Sequence, residues 1–98
     1  MPPQQIVWDP DKARRNKAKH GIEFEEAATV FRDPLLLVMP DLKHSLEEER
    51  WIALGKSILR ILLVVVHTED DCTIRIISAR KAEPRERRQY EREFQERE

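Results

Sequence analysis

Arg75 and Arg80, near the end of the last apolar run, are the residues of this chain best suited to chemistry. A guanidinium is planar and permanently charged, and it grips phosphate through two parallel hydrogen bonds. Other chemistries are poorly supplied. One cysteine, few serines and no elbow glycines near Ser57 or Ser78 give no support for a nucleophile triad. His20, His44 and His67 are scattered, and none has a partner at i+3 or i+4 that completes a metal-ligand set. Gly21 and Gly55 are the only glycines, which excludes a phosphate-cradling glycine loop. Arginine remains.

Strand geometry constrains how the two arginines can cooperate. In a regular strand Ile74, Ile76, Ser78 and Arg80 point one way, and Arg75, Ile77 and Ala79 the other. Arg75 and Arg80 therefore share a face only if Arg80 lies past the strand end or a bulge intervenes. The expectation is that Arg80 continues the face of Ile76 and Ser78. Simpler roles compete with phosphate binding: Arg75 paired with Glu69 or Glu49, and Arg80 as a salt bridge tying strand to helix.

The elements that position these residues follow from periodicity and punctuation. Ile61 to Val66 is the only long apolar run, β-branched or leucine throughout, which fits a central strand buried on both faces. Glu69, Asp70 and Asp71 turn the chain into a second strand, Thr73 to Ala79. Upstream, Ile6 to Trp8 is a short strand. Asp9 then caps a helix with Pro10 at its first position, running to Lys19 and ended by His20-Gly21. Its apolar content is Ala13 and Ala18 alone, so it must lie on the surface. Phe24, Ala27, Ala28 and Phe31 form one face of a helix over Glu23 to Arg32, where Glu26 could cap the Glu23 backbone. Leu35 to Met39 is a strand and Asp41 to Glu48 a polar loop holding His44 and Ser45. Glu49 to Leu54 is a strand with one wetter face, and Gly55-Lys56-Ser57 the turn into a strand over Ile58 to Thr68. From Pro84 a helix places Arg87, Tyr90 and Phe94 on one face, and residues 95–98 are expected to fray. The order is β-α-α-β-β-β-β-α, with the later strands antiparallel.

Composition bounds the rest. Ninety-eight residues suit a single domain over residues 1–98 with one core. The 38% charged content exceeds the usual ~25%, so the surface must be heavily ionised. The net charge of −1 hides an uneven distribution: +4 from Asp11 to Lys19, −2 from Asp41 to Arg50, and +4 again from Arg75 to Arg92. Lone Cys72 rules out a disulfide framework. Met1 to Gln5 lacks signal-peptide character, and no apolar run approaches the ~20 residues of a membrane helix. A cytoplasmic protein without cofactor or metal is expected.

Trp8-Asp9, Lys19-His20-Gly21-Ile22, Phe24-Glu25-Glu26-Ala27, Asp41 through His44-Ser45, Glu48-Glu49-Arg50, Gly55, Val64-Val65-Val66, Thr68-Glu69, Arg75-Ile76-Ile77-Ser78-Ala79-Arg80 and Glu86-Arg87-Arg88-Gln89-Tyr90 together carry a likeness. The chain resembles the BrnT family of type II toxin–antitoxin toxins from about Ile6 to Tyr90. It departs at Glu23, where many relatives have a serine cap, and at His67, often phenylalanine. The resemblance implies an α+β RelE-like ribotoxin fold: a small antiparallel sheet with two N-terminal helices packed on it and a C-terminal helix. It also implies RNA cleavage, in which a 2′-hydroxyl attacks the neighbouring phosphate and cations stabilise the accumulating charge. Arg80, Arg75 and Arg50 are then the electrostatic candidates. His20 or His67, with an ordinary pKa near neutrality, is the candidate proton carrier. Lys19, Lys81, Arg87 and Tyr90 are expected to contact the RNA. The implied partner is a BrnA-type ribbon-helix-helix antitoxin, forming a hetero-oligomer that meets operator DNA through the antitoxin. The alternative is a non-enzymatic toxin-fold protein that poisons a protein target or acts only as co-repressor.

Overall fold

The structure, a computed structural model, describes residues 5–43 and 48–97. His44 and Ser45 of the expected polar loop lie outside the described residues, as does the Phe94 side chain.

Asp9 caps helix α1 (Pro10–His20) through its carboxylate, which accepts from the Asp11 N–H at 2.8 Å. Gly21 closes the helix in the left-handed conformation, φ 73°, donating its N–H to the Lys17 carbonyl. The next helix is shorter than its apolar period predicts. Helix α2 covers Phe24–Ala28, and Thr29–Arg32 tightens into a 3-10 turn. Thr29 Oγ1 donates back to the Glu26 carbonyl at 2.6 Å and accepts the Ile58 N–H at 2.8 Å, which holds the tighter winding. Val30 consequently becomes fully buried, while Ala28 and Phe31 are only half-buried. Glu26 does not cap Glu23. Its carboxylate accepts from Ser57 Oγ at 2.7 Å instead.

Among the described residues, five strands form one sheet in the order β1-β5-β4-β3-β2: β1 (Gln5–Trp8), β2 (Leu37–Pro40), β3 (Trp51–Lys56), β4 (Leu62–Asp70) and β5 (Thr73–Lys81). The sheet is mixed rather than antiparallel throughout, because β1 runs parallel to β5. A parallel pairing requires a long crossover, and the whole chain between β1 and β5 supplies it. Gly55 belongs to β3, not to a turn; the turn is built on Ser57, with Arg60 at φ 66°. A Cβ at Gly55 would meet Leu36 Cδ1 at 2.9 Å and Val30 at 3.3 Å, so glycine lets the 3-10 turn approach the strand.

β4 is central, as its apolar run predicts, and Leu62 to Val65 are buried on both alternations. One face carries Leu63, Val65, Ala53, Ile76 and Ala79 beneath α1, α2 and the 3-10 turn. The other carries Leu54, Leu62 and Val64 beneath Tyr90 of helix α3 (Pro84–Arg97). No helix among the described residues is long and apolar enough to cross a membrane.

α1 docks through a polar residue. Ala13 packs against the core but Ala18 is exposed, and the buried contact is Asn16. Its carboxamide donates to the carbonyls of Ile22 (3.0 Å) and Ala79 (2.8 Å) and accepts the Ala79 N–H at 3.0 Å. β1 pairs with β5 only as far as Trp8 opposite Ile76, so Asn16 satisfies the strand edge that β1 leaves. Asn16→Ala is expected to cost about 3 kcal/mol, since it strands the Ala79 amide groups without partners. A thermal midpoint lowered by roughly 10 °C or more would register that loss. An unchanged midpoint would show that water replaces the amide.

Candidate active site

A bulge decides where the arginines lie. Val66 pairs with Ser78, but His67 pairs with Ile76, leaving Ile77 as the extra residue. The alternation of β5 therefore reverses at Ile77. Ala79 joins Ile76 on the helix-covered face, and Arg80, opposite Val64, joins Ser78 and Arg75 on the other. The expectation that Arg80 continues the face of Ile76 is corrected, for that reason. Arg75 and Arg80 pair with Thr68 and Val64, four residues apart on β4, so their Cα atoms lie roughly 13 Å from each other. One short stretch of RNA can touch both.

Arg50 directly precedes β3. Extending the register by one residue beyond Trp51–His67 sets it level with Thr68, and hence with Arg75 two strands away. It is half-buried, and its carbonyl accepts the Asp41 N–H. Beyond the patch under Tyr90, the central strand is only half-buried on this face at Val66 and Thr68. The face is thus a shallow surface with cations set along it.

Both β5 arginines are partnered. Arg75 Nη2 donates to Glu48 at 2.5 Å, rather than to Glu69 or Glu49. Arg80 ties strand to helix through a two-pronged pair, Nη1 to Glu86 Oε1 at 2.9 Å and Nη2 to Glu86 Oε2 at 2.7 Å. Glu86 Oε1 also accepts the Glu83 N–H at 2.8 Å, so the carboxylate sits in the first turn of α3 and caps it. The hydrogen bonds from Arg80, opposed by partial burial and helped by Glu83, hold the Glu86 carboxyl below its ordinary pKa. The same bonds raise the guanidinium. Glu86 was not anticipated, although a glutamate two residues after Pro84 is a readable capping signal.

His67 and His20 do not join this face. His67 is fully buried on the helix side, edge-on to Phe31 with ring centroids 5.0 Å apart. Its Nε2 lies 3.0 Å from Glu69 Oε1. A ring enclosed there cannot reach a phosphate on the arginine face. His20 is half-buried at the end of α1, in the layer that covers the same helix side. Lys19 is exposed beside it, Lys81 is exposed at the end of β5, and Arg87 is exposed on α3. Tyr90 is 5% exposed, and its hydroxyl donates to Asp33 Oδ2 at 2.6 Å. It anchors α3 to the sheet.

Asp33 makes that anchor sensitive to pH. Burial alone would raise its pKa, but the Lys56 and Leu35 N–H groups and the Tyr90 hydroxyl outweigh it and hold the carboxyl below its ordinary value. A depressed folded-state pKa gives stability that is complete above the unfolded value, about 4, and is lost as pH falls through the folded one. The thermal midpoint is therefore expected to decline on acidification below about pH 4. In Asp33→Asn the decline should be shallower, starting from a lower midpoint. Parallel curves for the two proteins would remove Asp33 from the acid response.

Residues 8–86 match the family profile described as "Ribonuclease toxin, BrnT, of type II toxin-antitoxin system". The chain belongs to the BrnT family. The crystal structure of the Brucella abortus ribonuclease toxin, BrnT, aligns with a TM-score of 0.64 at 25% identity, covering 82% of this chain and 97% of that one. No curated protein matches the chain. The α+β arrangement of mixed sheet and flanking helices is accordingly a BrnT fold, and the family is one of ribonuclease toxins that work within toxin–antitoxin pairs.

Proposed function

We propose that this BrnT-family chain is a metal-independent endoribonuclease of the cytoplasm, arresting growth by cleaving RNA and neutralised by a BrnA-type antitoxin. The observation that carries this reading is the bulge at Ile77, which gathers Arg75, Ser78 and Arg80 on one accessible face. On that face the 2′-hydroxyl of a bound RNA attacks the adjacent phosphate, its proton passing to water. The bond to the 5′-oxygen breaks, and that oxygen takes a proton from water. Arg80 donates to the oxygens on which charge accumulates, while Arg75 and Arg50 hold the flanking backbone. Arginine does not act as base, since it stays protonated. With His67 enclosed on the far side, catalysis rests on charge stabilisation. Lys19, Lys81 and Arg87 supply outlying phosphate contacts. The antitoxin acts by covering the arginine face, and through its own ribbon-helix-helix region brings the hetero-oligomer to operator DNA.

A second reading has one observation in its favour: Arg75 and Arg80 each already hold a carboxylate. A non-enzymatic chain, poisoning a protein target or serving only as co-repressor, would have no need to release them. Incubating purified protein with RNA in a chelator separates the two readings. Fragments ending in 2′,3′-cyclic phosphate and 5′-hydroxyl are expected. Growth arrest on induction without any RNA cleavage would select the non-enzymatic reading.

A further inference from the structure

A guanidinium carries five N–H donors in one plane. In Arg80 the two Nη1 hydrogens go to Glu86 Oε1 and the Lys81 carbonyl (3.2 Å), and one Nη2 hydrogen goes to Glu86 Oε2. The remaining donors, Nε–H and the second Nη2–H, lie along one edge of the plane and form a second fork. Glu86 is itself fixed, because its Oε1 accepts the Glu83 N–H at the start of α3. A chain of contacts thus runs from the helix end through Glu86 to the guanidinium and determines which edge remains open.

We infer that Glu86 is a positioning residue, holding Arg80 by its outer fork so that the Nε–Nη2 edge is presented to an RNA phosphate on the sheet face. This rests on the ribonuclease reading above. Glu86 touches no substrate. Its carboxylate already accepts three hydrogen bonds, two from Arg80 and one from the Glu83 N–H, which suits it to orientation and not to proton abstraction. It also offsets the charge of Arg80, so the pair supplies directed donors more than long-range attraction. Binding and rate should therefore respond in opposite senses when the carboxylate is neutralised.

Glu86→Gln keeps the shape and loses the charge. Freed of an anion, the face should hold RNA as tightly as before or more tightly, so KM stays level or falls. The guanidinium loses its fixed plane, and kcat is expected to fall about 10- to 100-fold, the usual scale for a residue that orients a working group. Glu86→Asp retains the charge at shorter reach and should recover part of that loss. A purely structural role would lower the thermal midpoint without splitting kcat from KM. If Glu86 instead competes with RNA for Arg80, kcat/KM of Glu86→Gln rises and kcat does not fall, which overturns the inference.

A measurement on the wild-type chain needs no variant to fold. The Arg80 Nε–H resonance should shift when a single-stranded oligodeoxynucleotide, which has no 2′-hydroxyl to react, is titrated in. RNA cleavage with no such shift would overturn the positioning role and leave the ribonuclease reading intact. A shift in a chain that cuts no RNA would overturn the ribonuclease reading, and the positioning role with it, leaving only a phosphate-binding edge.

Discussion

Arg80→Ala is expected to lower the rate of RNA cleavage by roughly 10²–10³, the usual effect of removing one preorganised donor from a charge-stabilising site. Growth arrest on induction should disappear with it. The fold should survive. The side chain is 38% exposed, and a partly solvated ion pair of this kind is worth less than about 1 kcal/mol. The lost contact to Glu86 should therefore show as a midpoint lower by only a few degrees. Arg80→Lys is the sharper comparison, because it retains the charge and loses both forks. If fork geometry matters, lysine should recover little of the rate. Arg14→Ala serves as a surface reference, since among the described residues exposed Arg14 pairs with exposed Asp11 of its own helix. Initial rates on a defined RNA, measured beside melting curves, settle the assignment. A folded Arg80→Ala protein that cuts RNA at the wild-type rate would put the site elsewhere.

Val65→Asp tests the scaffold. Val65 has no exposure, lies on the central strand between Ala53 of β3 and Ala79 of β5, and belongs to the cluster under the helices. An aspartate there either carries an unpaired charge into the core or is protonated at a cost of several kcal/mol. Total stability for a domain of this size is about 5–15 kcal/mol. The variant is therefore expected to be unfolded or insoluble at neutral pH, with no cooperative melt by circular dichroism. A soluble protein melting cooperatively near the wild-type temperature would mean that β4 is not the enclosed centre of the sheet. The two substitutions make a contrast. One is expected to remove activity with the fold intact, and the other to remove the fold.

The sequence alone carried everything set by neighbours along the chain. Asp9, Pro10 and Gly21 bound α1 because caps act within a few residues. Ile61 to Val66 announced a central strand because a run apolar on both alternations must be covered on both faces. The family motifs were legible for the same reason. Local readings missed where distant contacts competed, as at Gly55, read as a turn but held in β3 beside Val30 and Leu36. The helix over Glu23 to Arg32 tightened at Thr29, whose hydroxyl binds the Ile58 N–H, and Glu26 left its capping position for Ser57.

Tertiary structure decided which residues face each other. β1 lies parallel to β5 through a pairing of residues 68 positions apart, such as Gln5 with Thr73. Asn16 bonds Ala79 across 63 positions, and the Tyr90 hydroxyl reaches Asp33 across 57. No spacing rule reports contacts of that range. The bulge is the telling case. A period of two places Arg75 and Arg80 on opposite faces, and one unpaired residue at Ile77 reverses the assignment. Whether a strand bulges depends on what its partner strand must bury. Here β4 turns His67 into the core beside Phe31, and β5 shifts by one residue to keep both Ile76 and Ala79 in the same core. The arginine face exists because the opposite face had to be filled.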